Sequence, residues 1–109
     1  MKTLQDVTKD FFESILAVIS KNSSKNYGIV ILNNMKKSLV KDFPILELID
    51  FDNGSMVIDA KIKSADDQDL SNLFNKIIEI ISPDVLRLFI KDQLDAGDIK
   101  ILTKIGVKF

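Results

Sequence analysis

The 109-residue chain contains no histidine, no cysteine and no tryptophan. Without histidine it lacks the side chain that most readily changes charge near neutral pH. Without cysteine it can form no disulfide, which fits a reducing compartment. Lacking both, it has neither the usual soft nucleophile nor the usual transition-metal ligands. A single arginine, Arg87, stands beside 14 lysines. That bias reads as A/T-rich codon usage rather than function. No apolar run approaches the roughly 18 residues of a membrane span. The opening Met1-Lys2-Thr3-Leu4-Gln5-Asp6 brings in an acid at once, with no apolar signal-peptide core. A cytoplasmic protein is the expectation.

What the chain has is ordinary for a folded domain: 46% hydrophobic and 28% charged residues. The length suits one small domain over residues 1–109, since halves would be short of core. The net charge of −1 is unevenly spread. Residues 1–44 hold seven lysines against four acids, and residues 45–109 hold eight basic residues against twelve acids. Complementary packing of the two halves explains this most simply, and a protomer interface is the sharper alternative.

Leu4, Val7, Phe11, Ile15, Val18 and Ile19 share one helical stripe, widened by Phe12 and Leu16. Thr3 is the expected N-cap, with Asp6 three residues on. The polar run 21–26 reads as a loop. Residues 27–32 suit a buried strand, Ile29-Val30-Ile31-Leu32. They also suit a helix, because Leu32, Met35, Leu39 and Phe43 continue at helical spacing. A second helix from about Gly28 to Asp42 is the preferred reading, ended by Phe43-Pro44. Asn53-Gly54 is a preferred two-residue hairpin turn. It sets Phe51 opposite Met56, Ile49 opposite Ile58, Glu47 opposite Ala60, and Ile45 opposite Ile62. That face is mainly apolar and belongs to the core, whereas Leu46, Leu48 and Val57 fall on the other.

A third helix is expected after Ser64 or Asp66, with the stripe Leu70, Leu73, Phe74, Ile77, Ile78 and Ile81. Ser82-Pro83 stops it and starts a fourth, which carries Val85, Leu86, Phe89, Ile90 and Leu94 and has Gly97 as its expected C-cap. Residues 98–109 suit either helix or strand. Helix through Ile105, ended by Gly106, is preferred. The fold class is therefore α+β: two N-terminal helices, a central β-hairpin, two C-terminal helices and a short tail.

Each motif with a chemical reading has a simpler structural one. Asp66-Asp67-Gln68-Asp69 could attract a hard cation, but acids are favoured in the first turn of a helix. Asp50-Phe51-Asp52-Asn53-Gly54 hints at a calcium loop, yet its glycine comes one position early and Lys61 stands where a glutamate should close the loop. Asn22 and Asn53 match the glycosylation pattern, without consequence in an unsecreted protein. The tightly joined third and fourth helices suggest a helix-turn-helix. The fourth offers only Arg87, Lys91 and Gln93 among Asp84, Asp92 and Asp95, too little for DNA. Lys21, Lys25, Lys36, Lys37 and Lys41 form a modest basic region, explained by solvation. No phosphate loop, nucleophile elbow or interpretable carboxylate pair is present.

These observations predict no catalytic residue, no metal site, no cofactor and no nucleic-acid partner. The leading expectation is a non-catalytic regulatory or sensory (signal-input) domain that self-associates as a homodimer, joined through the hairpin, whose edge at Leu46-Glu47-Leu48-Ile49 is open to pairing, or through its face of Leu46, Leu48 and Val57. The alternative is a sensor binding an apolar small ligand among Phe11, Phe12, Phe51, Phe74 and Phe89. The hairpin register puts Glu47 on the apolar face, where it is costly to bury unless paired, so it is expected at the sheet margin, reaching water or a lysine; if buried, it is the candidate carboxylate of that pocket. A DNA-binding regulator and an enzyme built on carboxylates and lysines alone rank lower. The enzyme would require a strongly perturbed carboxylate or lysine in a cleft.

Overall fold

In the computed structural model, the residues described are 2–20, 24–51, 56–81 and 84–109, without the side chains of 81, 84–87 and 89. The first stripe forms α1, Leu4–Ile19, which Thr3 and Asp6 open with a reciprocal capping box. This helix runs through the middle of the molecule, against the hairpin and the other four helices. Ser24 caps α2, Lys25–Leu39, its hydroxyl accepting from the Tyr27 N–H. Residues 27–32 are therefore helical, and α2 begins earlier than periodicity alone suggests. The cap, hidden in the polar run 21–26, sets the start. At Gly28 a Cβ would collide with Ser20 and Leu16, so glycine lets α2 approach the end of α1.

The hairpin forms in the expected register but is far shorter than its apolar pattern implies. β1, Ile49–Asp50, pairs antiparallel with β2, Val57–Ile58, placing Ile49 opposite Ile58 and Asp50 opposite Val57. The Asn53-Gly54 turn lies outside the described residues. On each side the chain leaves extended geometry for a 3₁₀ turn, Pro44–Leu48 before and Ala60–Ser64 after. Pro44 opens the first with a preset φ. Asp59 opens the second, its carboxylate accepting from the Lys61 N–H at 2.8 Å. The expected pairings of Glu47 with Ala60 and Ile45 with Ile62 are thereby lost.

Asp66 accepts from the N–H groups of Gln68 and Asp69, and α3 follows as Asp67–Ile81. α4 is Asp84–Gln93. The expected C-cap role of Gly97 is overturned, because Asp95 starts a further helix, α5, Ala96–Ile105, with its own capping box to Asp98. Gly97 lies inside that first turn. Gly106, at φ +115°, ends α5 in the left-handed conformation that glycine adopts without strain. The Asn75 side chain of α3 then clamps the tail, donating to the Gly106 carbonyl and accepting from the Lys108 N–H. The fold is α+β, with five helices and one two-stranded hairpin among the described residues.

The core joins the inner face of the hairpin to α1 and α3. Phe11 stacks on Phe74 with centroids 4.2 Å apart and planes 26° from parallel. Phe12 meets Phe11, Phe51 and Phe74 edge-on at 5.5–5.9 Å. Each ring is at most 1% exposed. Burying each contributes about 1.5–3 kcal/mol, as does each large aliphatic side chain around them.

Candidate functional site

The outer face of the hairpin carries one of the predicted interface residues, Val57; a second, Leu48, ends the 3₁₀ turn that leads into β1. Val57 is 59% exposed, and Leu48 is half-buried with its inner side against the core. Leu46 is different: it is 2% exposed and belongs to the core. Glu47, on the apolar face in the hairpin register but expected to reach water at the sheet margin, is exposed. One cause explains both placements. Strand alternation would have turned Glu47 in and Leu46 out, but residues 44–48 form a 3₁₀ turn, where period-two reasoning does not apply.

The hairpin's edges are closed by side chains. The Asp59 N–H donates to the Leu48 carbonyl at 2.8 Å. Ile49 and Ile58 thus form a non-hydrogen-bonded pair, whose carbonyls point away from the ladder. Both carbonyls are satisfied from outside. The Lys36 ammonium of α2 donates to Ile49 at 2.6 Å, and the Gln5 amide of α1 donates to Ile58 at 2.7 Å. An added strand would have to displace these donors. The open surface is accordingly the face bearing Val57 rather than either edge. Across the ladder from Val57, Asp50 also lines a 450 Å³ groove with Lys36, Lys37 and Glu47.

The predicted aromatic pocket is filled by its own rings. Phe11, Phe12, Phe51 and Phe74 come together and contact one another, one pair stacked and three edge-on, each ring at most 1% exposed. Exposed Glu47 takes no part, and the Phe89 side chain lies outside the described residues.

A second cluster was not anticipated. The Lys2 ammonium donates to Asp10 at 2.8 Å, Asp95 at 2.5 Å and Asp98 at 2.9 Å. An ammonium has three protons, so this donor set is fully used. These hydrogen bonds hold the Lys2 pKa far above the ordinary lysine range. The same ammonium, together with the α5 cap, lowers that of Asp95. Asp98 is 2% exposed. Burial pushes its carboxyl upward against the opposing pull of Lys2, and neighbouring Asp10 raises it further. The cluster borders a 330 Å³ cavity to which Glu13, Ser14 and Gln93 contribute. The sequence signal was Asp95-x-x-Asp98, a capping pair like Thr3-x-x-Asp6. Nothing local placed Lys2 beside it, since the partners are 93 and 96 residues apart.

No group of three or more carboxylates among the described residues is arranged to hold a metal ion. No described helix is long and apolar enough to cross a membrane. No family model, curated protein or solved structure matches the chain.

Proposed function

We propose that this protein is a non-catalytic regulatory or sensory domain of the cytoplasm, acting by association with a second copy of itself through the outer face of the hairpin. The observation that carries this reading is Val57, 59% exposed on a sheet face that no helix covers, with Leu48 half-buried nearby. The surroundings suit a two-fold contact. Such an interface must be self-complementary, each patch meeting its own copy. Asp50 and Glu47 supply negative charge, and Lys36 and Lys37 supply positive charge, around one groove beside the apolar pair. Charges of both signs on one patch can pair across a two-fold axis. A non-catalytic role is supported by the use of the acids. Asp6, Asp59, Asp66 and Asp95 cap helices or 3₁₀ turns, and Lys2 is held protonated, which denies it a nucleophilic amine. Sedimentation of the wild type and of Val57→Asp tests the proposal.

A second reading is favoured by Asp98 alone. A buried carboxyl with a raised pKa beside a polar cavity is a pattern that proton-transfer sites share. Against it, Asp98 already has a structural task in the α5 capping box. Carbon-13 NMR titration of the Asp98 carboxyl, with and without small polar candidates in the cavity, tests this reading. A pKa unmoved by any of them counts against it.

A further inference from the structure

Independently of the hairpin face, we infer that the outer surface of α5 is a binding groove for a small amphipathic carboxylate, a molecule with an aliphatic chain and one anionic end. Gly97, Lys100, Ile101 and Lys104 stand at positions i, i+3, i+4 and i+7 of α5, so they form one stripe. They line a 640 Å³ groove together with Ala96, Asp95 and the Lys2 side chain. That volume lies in the range of small-molecule sites, about 300–1,000 Å³. The floor is apolar and low. Gly97 has no side chain, and a Cβ there would meet only the Asp95 carboxylate, 3.3 Å away. Ile101 is only half-buried and offers its remaining apolar surface to the groove.

The charges decide the ligand's sign. Asp95, the one acid lining the groove among the described residues, shares the Lys2 ammonium with Asp10 and Asp98, so the positive charge of the groove lies at its other end. Lys2 therefore contributes its aliphatic stem. Lys100 and Lys104, both exposed, form no ion pair with any described residue. Two unpaired ammonium groups one helical turn apart flank an apolar floor. A carboxylate held between them can lay its chain along Ile101, Gly97 and Ala96. A cation would be repelled by the same pair, and a neutral chain would leave both charges without a partner.

The test is a proton–nitrogen NMR titration of the intact chain with decanoate, with decan-1-ol as the uncharged control. Saturable shifts confined to residues 95–105 are expected. The double variant Lys100→Gln/Lys104→Gln changes only exposed side chains, and its own spectrum reports whether it is folded. It should bind decanoate about fivefold or more weakly, as expected for two partly exposed ion pairs. Absence of saturable shifts, shifts centred elsewhere, equal binding of decanol, or undiminished binding by the double variant would each overturn the assignment.

Discussion

The Lys36 ammonium of α2 donates to the Ile49 carbonyl of β1 at 2.6 Å, closing one edge of the hairpin from outside. Gln5 does the same for Ile58 on the other strand. A two-stranded ribbon is marginal alone in water, and here two helices supply the missing partners. Lys36→Ala should cost about 1–2 kcal/mol, as a part-buried carbonyl loses a charged donor. The double variant Gln5→Ala/Lys36→Ala should also open both edges and form larger assemblies. Urea midpoints and light scattering measure the two effects. An unchanged midpoint and a monodisperse double variant would show that the caps are incidental.

Phe74 is the ring on which Phe11 stacks and Phe12 abuts. Phe74→Ala should destabilise by about 3–5 kcal/mol, leaving a cavity that its neighbours only partly fill. For a domain of this size that approaches the whole folding free energy. Phe74→Leu keeps most of the volume and should cost clearly less. Chemical denaturation ranks the three proteins. Equal losses for the two variants would argue against close ring packing as the main source of stability.

Much of this architecture was legible in the sequence, for a definite reason at each place. α1 and α3 carry long apolar stripes of one period, and only a helix can bury them on one side. The Ile49–Ile58 register followed from Asn53-Gly54 together with alternating residues. The length of the strands was not legible. Pro44 and Asp59 impose local turn geometry that overrides an apolar alternation still present in the sequence, which is why Leu46 and Glu47 exchange places. α2 began early because Ser24 is a cap within a polar run, and such a run reads equally well as loop. The Lys2 cluster was invisible for another reason: ion pairs spanning more than 90 residues leave no local trace.

The Lys2 cluster predicts a pH profile with two limbs. Lys2 has a raised pKa in the folded protein, so its contribution is complete below the unfolded value of 10.5 and is lost as pH rises beyond it. Asp95 in the cluster and, outside it, Asp6 through its hydrogen bonds from Thr3 are lowered, so their contributions are present above 3.8 and are lost as pH falls through the folded values. Asp98 opposes them. Its raised pKa makes the native state hold a proton more tightly, so this group favours folding as pH falls toward 3.8. Lys2→Met should flatten the alkaline limb, and Asp98→Asn should remove the opposing effect in acid. Urea midpoints across the pH range read both. An alkaline limb unchanged by Lys2→Met would contradict the cluster's role.

Sedimentation equilibrium at micromolar concentration reads directly whether the Val57 face joins two copies of the chain. Val57 is exposed but lies across the ladder from Asp50, so Val57→Asp adds a like-charge pair, and circular dichroism checks that the variant keeps its fold. The expected result is a wild-type dimer in reversible exchange with monomer, and a variant that is monomeric over the same range. A wild type that remains strictly monomeric, or a dimer that Val57→Asp leaves unweakened, would contradict the account.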